Sequence, residues 1–322
     1  MQCTNSDFML NLAISGLEFL SSGEKLTVRR NVENLEKLLS LSLTDIAYLV
    51  KRVINTSLWR ADELLKKLNR QLHIMECFNI HSCTLEDSDY PELLKNIYDP
   101  PFMLFWRGNN ACLHKKAVAV VGTRRPSFAG IQATRDLAAK LAAENYTVVS
   151  GLALGIDAAA HKGAVSVGKA TTAAVLASGV DVISPETNKK LAAAILQKDG
   201  CILSEYPPET VPVKWRFPAR NRIISGLSAA TVVIEAPAKS GSLITADFAL
   251  EQGRDLFFHQ LALQRNYDSE ERQPSGYVRD GATVINSAEQ LLSQLDTNTI
   301  ASDKRIYIKK QPVLWNKTEE RS

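Results

Sequence analysis

The chain has 322 residues, 45% of them hydrophobic and 23% charged, a composition that suits a globular protein of about two domains at roughly 150 residues each. Lys and Arg number 38 against 35 Asp and Glu, so the net charge is only +3 and any nucleic-acid role needs a local basic face. No stretch of about 18 apolar residues exists to span a membrane.

The first twenty residues carry Asp7 and no basic segment ahead of their apolar positions, which speaks against a secretory signal. Five scattered cysteines (Cys3, Cys77, Cys83, Cys112, Cys201) without a C-x-x-C pair fit the reduced thiols of a cytoplasm. Residues 1 to about 70 read as helical. "NVENLEKLLSLSLTDIAYLVKR" has apolar residues at helical spacing, with Ser42 placed as an N-cap before Leu43. "WRADELLKKLNRQL" repeats the pattern and reads as ending in basic residues, which suit a helix C-terminus. His73, Cys77, His81 and Cys83 follow in "HIMECFNIHSC". Structural zinc usually draws on two separated ligand pairs, and this run reads as one extended, half-buried segment, so no metal is expected. "DYPELLKNIYDPPFMLFWRGN" reads as a connecting segment, broken by Pro100-Pro101.

From Lys115 the pattern changes. "AVAVVG" (117–122) is a continuous apolar run, as expected of a buried parallel strand, and "FAGIQATRDLAAKLAAE" follows as a helix. "YTVVSG", "ATTAAVLASG", "CILSEY", "ATVVIEA" and "RDLFFHQ" read as further strands. "GIDAAAHKGAVSVG", "NKKLAAAILQKDG", "ARNRIISGLS" and "SLITADFALEQG" read as helices between them. This alternation predicts an α/β fold: a doubly wound, mostly parallel, Rossmann-like sheet preceded by a small helical domain. Residues 261–276 read as a polar, aperiodic loop, "ATVINSAEQLLSQL" as a short strand and helix, and the end of the chain as a polar tail.

In doubly wound sheets ligands sit in the loops at the carboxyl ends of the strands. The first such loop, "GTRRPSFAG", has Gly122 for a tight turn and Thr123, Arg124 and Ser127 as donors before a helix N-terminus, which favours an anion. It lacks G-x-G-x-x-G, so a nicotinamide dinucleotide is not expected. In "SGLALGIDAAAH", Gly151 and Gly155 allow close backbone approach to a ligand. Asp157 and His161, one turn apart, make either an acid–base pair or a structural hydrogen bond. Ser240, Gly241 and Ser242 precede another helix and form a second cradle, without the Gly-Lys-Ser/Thr order of a P-loop. Lys214, Arg216, Arg220 and Arg222 fall within nine residues, and no acidic residue lies between Glu209 and Glu235. Trp215 and Phe217, interleaved with these cations, offer a stacking surface. Three anion-competent loops on one sheet edge point to a ligand with several phosphates, a polynucleotide rather than a mononucleotide. If Arg220 and Arg222 lie on a helix they splay by about 200° and cannot face one phosphate. Either the segment starts non-helical, or one arginine anchors it while the other meets the ligand.

These segments, in this order, together with "RDGA" (279–282) and "YPELLKNIYDPPFMLFWRG", resemble the motif set of the DprA/Smf family over about residues 85–290. The resemblance implies a protein of natural transformation that binds single-stranded DNA without catalysis, protects incoming strands, forms a homodimer and helps load the RecA recombinase. It implies no cofactor, no membrane and a cytoplasmic location. Gly122, Thr123 and Arg124 match the family's G-S/T-R motif, with Arg124 the implied phosphate contact. Phe217, Pro218, Arg220, Asn221 and Arg222 match its F-P-x-R-N-R motif, and Ser240, Gly241 and Ser242 its S-G-S motif. Ser127, Gly151 and Lys214 complete the expected nucleic-acid-binding set on the physical grounds above. The implied domains are 1–84, helical and similar to SAM or helix-hairpin-helix modules; 85–292, Rossmann-like; and 293–322, a tail too short for a winged helix. The competing expectation is a phosphoribohydrolase-type enzyme using Glu235, Asp157 or Glu251, although its P-G-G-x-G-T loop is absent.

Overall fold

A computed structural model of the chain describes residues 5–55, 59–167, 172–264 and 273–300. Five helices open the chain: α1 (Asn5–Ser15), α2 (Ser22–Asn31), α3 (Leu35–Ser40), α4 (Leu43–Val50) and α5 (Ala61–Cys77). Ser42 caps α4 as expected, accepting from Asp45 N at 3.2 Å while the Asp45 carboxylate accepts from Ser42 N at 2.8 Å. α5 runs to Cys77, so Lys66, Lys67 and Arg70 sit inside it rather than at its C-terminus. The expected single extended segment around 73–83 is therefore divided between the end of a helix and a strand.

The remaining elements are β1 (His81–Thr84), α6 (Glu92–Lys95), β2 (Met103–Gly108), β3 (Ala117–Val121), α7 (Phe128–Ala143), β4 (Thr147–Ser150), α8 (Ile156–Ser166) and β5 (Thr172–Val175). After these come α9 (Lys189–Gln197), β6 (Cys201–Ser204), α10 (Arg216–Gly226), β7 (Ala230–Val233), α11 (Gly241–Glu251), β8 (Asp255–His259), α12 (Pro274–Arg279), β9 (Thr283–Ile285) and α13 (Ala288–Ile300). The nine strands of the described residues form one sheet in the order β1-β2-β6-β5-β4-β3-β7-β8-β9. The seven from β6 to β9 pair in parallel, and β1 and β2 extend the β6 edge antiparallel.

Each central strand is buried on both faces, with side chains alternating between two cores. Ala117, Ala119 and Val121 of β3 belong to one cluster, and Val118 and Val120 to the other. The chain starts the parallel sheet at β3, builds outward through β4, β5 and β6, then returns to place β7 on the other side of β3. The crevice between the ends of β3 and β7 is thus the topological switch point.

Three features lie outside the sequence reading. β2 occupies the supposed connecting segment, and β1, on the N-terminal side of the expected boundary at 84, is an edge strand of the same sheet. The loop expected over 261–276 is flanked by a short 3-10 turn (Gln260–Leu263) and by α12, while 265–272 lie outside the described residues. α13 carries helix beyond 292, and the tail from 301 to 322 lies outside the described residues.

The N-terminal helices pack against the sheet. Leu10, Leu12 and Ile14 share one buried cluster with Phe105, Leu176 and Ile202. Polar ties cross the same boundary: Arg216 Nη2 donates to Glu18 at 2.7 Å, Arg70 pairs with Glu209 at 3.0 Å, and Gln71 Nε2 donates to the Pro208 carbonyl at 3.0 Å.

Candidate nucleic-acid interface

The loops after β3, β4 and β7 and the start of α10 meet at the switch point. Gly122 is wedged against Ile156 and the backbone of Glu235, and Thr123 N donates to the Glu235 carbonyl at 2.7 Å. The Thr123 hydroxyl accepts from Arg125 N at 3.2 Å and sets the turn. That turn leaves the Arg124 and Arg125 side chains exposed. The Arg124 guanidinium lies 5.5 Å from the centre of the Phe217 ring, so a cation–π contact ties the β3 loop to α10. Asn221 Nδ2 donates to the Gly241 carbonyl at 3.1 Å and ties α10 to the start of α11. There Ser240 caps the helix, accepting from Ser242 N at 3.2 Å, and its hydroxyl meets that of Ser242. Gly241 is exposed, which leaves this helix start open to an anion. Lys214 is exposed, Trp215 is 58% exposed and Phe128 is 82% exposed.

Four of the expected ligand groups have other work in the structure. The helix covers Arg216–Gly226, so Arg220 and Arg222 are both helical and splayed. Arg220 is only 4% exposed and donates to the carbonyls of Gly151, at 2.8 Å, and Val175, which binds together the ends of β4 and β5. Its guanidinium lies flat on Gly151, where a Cβ would come within 2.3 Å of Nη1. Gly151 is therefore glycine to admit Arg220, not a ligand. Burial pulls the Arg220 pKa down to about 10, and the Asp157 charge opposes the fall, so the group stays cationic at neutral pH.

Arg222 is 9% exposed and forms a two-pronged pair with Glu205, at 2.7 and 2.6 Å, with a third bond to the Asp99 carbonyl at 3.0 Å. Burial works against its charge, but Glu205 and then Asp99 more than offset it and hold its pKa above the ordinary value. Ser127 caps α7, accepting from Gly130 N at 2.9 Å, and its own N–H and hydroxyl donate to the Glu235 carboxylate. The anion expected at this helix start is one of the protein's own side chains.

The candidate carboxylates are likewise committed. Asp157 is buried and accepts from Gly151 N at 3.1 Å and Ala153 N at 3.4 Å. Burial raises its pKa, opposed by Arg220 and by those backbone donors. His161 bonds to the Thr172 hydroxyl at 2.8 Å rather than to Asp157, so the two do not form an acid–base pair. Glu251 ends α11, at the opposite end from the Ser240 cradle. Of the supposed metal ligands, His73 and Cys77 touch on α5, His81 stacks on Trp106 and Cys83 is buried. Among the described residues no cluster of three or more His, Cys, Asp or Glu could hold a metal, and no helix is long and apolar enough to cross a membrane.

Arg125, Phe128 and Lys239 are exposed on this edge and were not in the expected set. The signal for each was adjacency: one follows Arg124, one follows the Ser127 cap, and one precedes Ser240.

The fold is that of a Rossmann-like α/β protein, and its switch-point edge presents exposed Arg124, Arg125 and Lys214 beside the open start of α11. The family model of the DNA recombination-mediator protein A matches residues 81–296, β1 included, and the chain belongs to that family. It is 39% identical over 240 residues to the DNA processing protein DprA of Bacillus subtilis, spanning 74% of this chain and 79% of that protein. The crystal structure of DNA processing protein A from Streptococcus pneumoniae superposes with a TM-score of 0.67 at 35% identity, covering 91% of this chain and 98% of that one. DNA processing protein A of Helicobacter pylori, whose structure concerns a unique single-stranded DNA binding mode, matches with a TM-score of 0.57 at 30% identity, over 70% of this chain and 98% of that one.

Proposed function

We propose that this chain binds single-stranded DNA without catalysis, as a homodimer that shields incoming strands and helps seat RecA on them during natural transformation. The observation that supports it best is the composition of the switch-point edge. Exposed Arg124 and Lys214, the open start of α11 and exposed Phe128 and Trp215 face outward, while the nearby carboxylates Glu235 and Asp157 are tied to backbone N–H groups. Cations with stacking aromatics suit a flexible strand whose bases are splayed, and carboxylates so held are not poised for hydrolysis. The Helicobacter pylori relative's single-stranded DNA binding points the same way.

Titration of labelled oligo(dT) and of a duplex at two salt concentrations tests the reading. The single strand binds tighter, and Arg124→Ala weakens it for all sequences while lowering the salt slope by about 1. Wild-type affinity in Arg124→Ala would sink the assignment. Release of free base from nucleoside monophosphates would restore the hydrolase reading.

A further inference from the structure

The start of α7 is filled by the chain's own carboxylate. α7 is a 16-residue helix whose cap, Ser127, directs both its N–H (2.9 Å) and its hydroxyl at the two Glu235 oxygens. Gly130, in the first turn, makes room for that carboxylate: a Cβ there would lie 2.5 Å from Oε1. The Glu235 backbone is fixed as well, its carbonyl accepting from Thr123 N at 2.7 Å, and the residue is only 7% exposed. The turn after the central strand at a switch point is where nucleotide-binding sheets hold a phosphate, on helix N–H groups and a partial positive charge of about half a unit. Here a full negative charge already occupies that place.

We infer that Glu235 is a built-in counter-anion that makes the edge refuse isolated phosphate groups and accept only a chain of them. This inference rests on the reading of the edge as a DNA surface. With the α7 start neutralised, a lone phosphate finds the α11 start and one or two solvated cations beside a carboxylate. A strand instead reaches the α11 start, Arg124 and Lys214 together, so the repulsion from Glu235 is shared over several contacts. Glu235 thus sets ligand class: polymer over mononucleotide. Its position identifies it as a specificity residue, not a contact residue.

Glu235→Gln keeps the size and an acceptor for Ser127 N but removes the charge. Thermal unfolding is followed with and without millimolar inorganic phosphate and dTMP, and oligo(dT) affinity by anisotropy at low and high salt. The expected result is that phosphate and dTMP raise the melting temperature of Glu235→Gln and leave that of the wild type unmoved. Oligo(dT) should bind the variant about 3- to 10-fold tighter at low salt, the size of one like charge removed at near-surface screening, with the gain shrinking as salt rises. If Glu235→Gln does not fold, Glu235→Ala, which also removes the charge and opens the space beside Ser127 N, should show the same phosphate effect. Phosphate stabilising wild type and variant alike, or neither, overturns the inference. A wild type that fails to bind oligo(dT) sinks the DNA reading instead, and the phosphate arm still decides the role of Glu235.

Discussion

Arg222 sits in a motif that reads as DNA-contacting, yet its geometry makes it an anchor, and the two roles separate cleanly. Arg222→Ala removes a two-pronged pair with Glu205 at 2.7 and 2.6 Å and a bond to the Asp99 carbonyl at 3.0 Å. The side chains of Arg222 and Glu205 are 10% and 13% exposed, so the carboxylate left behind is poorly hydrated. Breaking a buried pair from one side costs about 3–5 kcal/mol. For a unit of this size that lowers the melting temperature by roughly 6–20 °C. Replacing both partners by apolar groups, as in Arg222→Met with Glu205→Leu, should recover much of the loss, because the uncompensated charge goes with its partner. Circular dichroism melts of wild type, Arg222→Met, Glu205→Leu and the double variant measure the coupling, and oligo(dT) affinity well below each midpoint should fall less in Arg222→Ala than in Arg124→Ala. An Arg222→Ala variant that melts with the wild type but no longer binds DNA would overturn the anchor role and return the guanidinium to the ligand.

Two further outcomes bear on the site and its foundation. Phe128→Ala and Trp215→Ala should each weaken oligo(dT) and oligo(dA) alike, by about 5- to 150-fold if one base is unstacked; the melting temperature should scarcely change, since both rings are largely exposed. Unchanged affinity would remove stacking from the account. Burial, and then the Arg220 charge, push His161 down to about 3 from 6.5. Between those values the unfolded chain binds a proton that the folded one does not. Its contribution is therefore complete above about pH 6.5 and lost as pH falls toward 3, at up to about 1.4 kcal/mol per unit. Asp157, with its pKa raised, works in the opposite sense, which is why the test is a single substitution. Melts of His161→Gln should show a shallower fall between pH 7 and pH 5 than wild type, and an equal fall would be evidence of another titrating group.

The parallel strands were legible because burial on both faces writes them as unbroken apolar runs, "AVAVV" and "ATVV" among them. β2 was not, since "MLFWRG" follows two prolines and a short apolar run carries no period of its own. β1, "HSCT", has no apolar run at all. The order of loops along one edge was readable, but the division of labour among their cations was not. The absence of acidic residues from 210 to 234 suggested unpaired arginines. The acids arrive from elsewhere: Glu205 from the end of β6, Asp99 from before β2 and Glu18 from the turn between α1 and α2. Glu235 likewise reaches a helix start 108 residues away. Local charge pattern reports what a segment lacks, whereas pairing is decided by which strand ends the topology brings together.

The core shared by Leu10, Leu12 and Ile14 with Phe105, Leu176 and Ile202 bears on how such a protein can change over generations. A break in the chain before β1 would strip a lipophilic plane from the sheet and strand Arg216, whose guanidinium leans on Glu18. The helical segment therefore cannot be traded for another module as freely as a bead on a tether. A replacement must arrive already shaped to that plane and carrying its own acid for Arg216, so the two parts are constrained to diverge together.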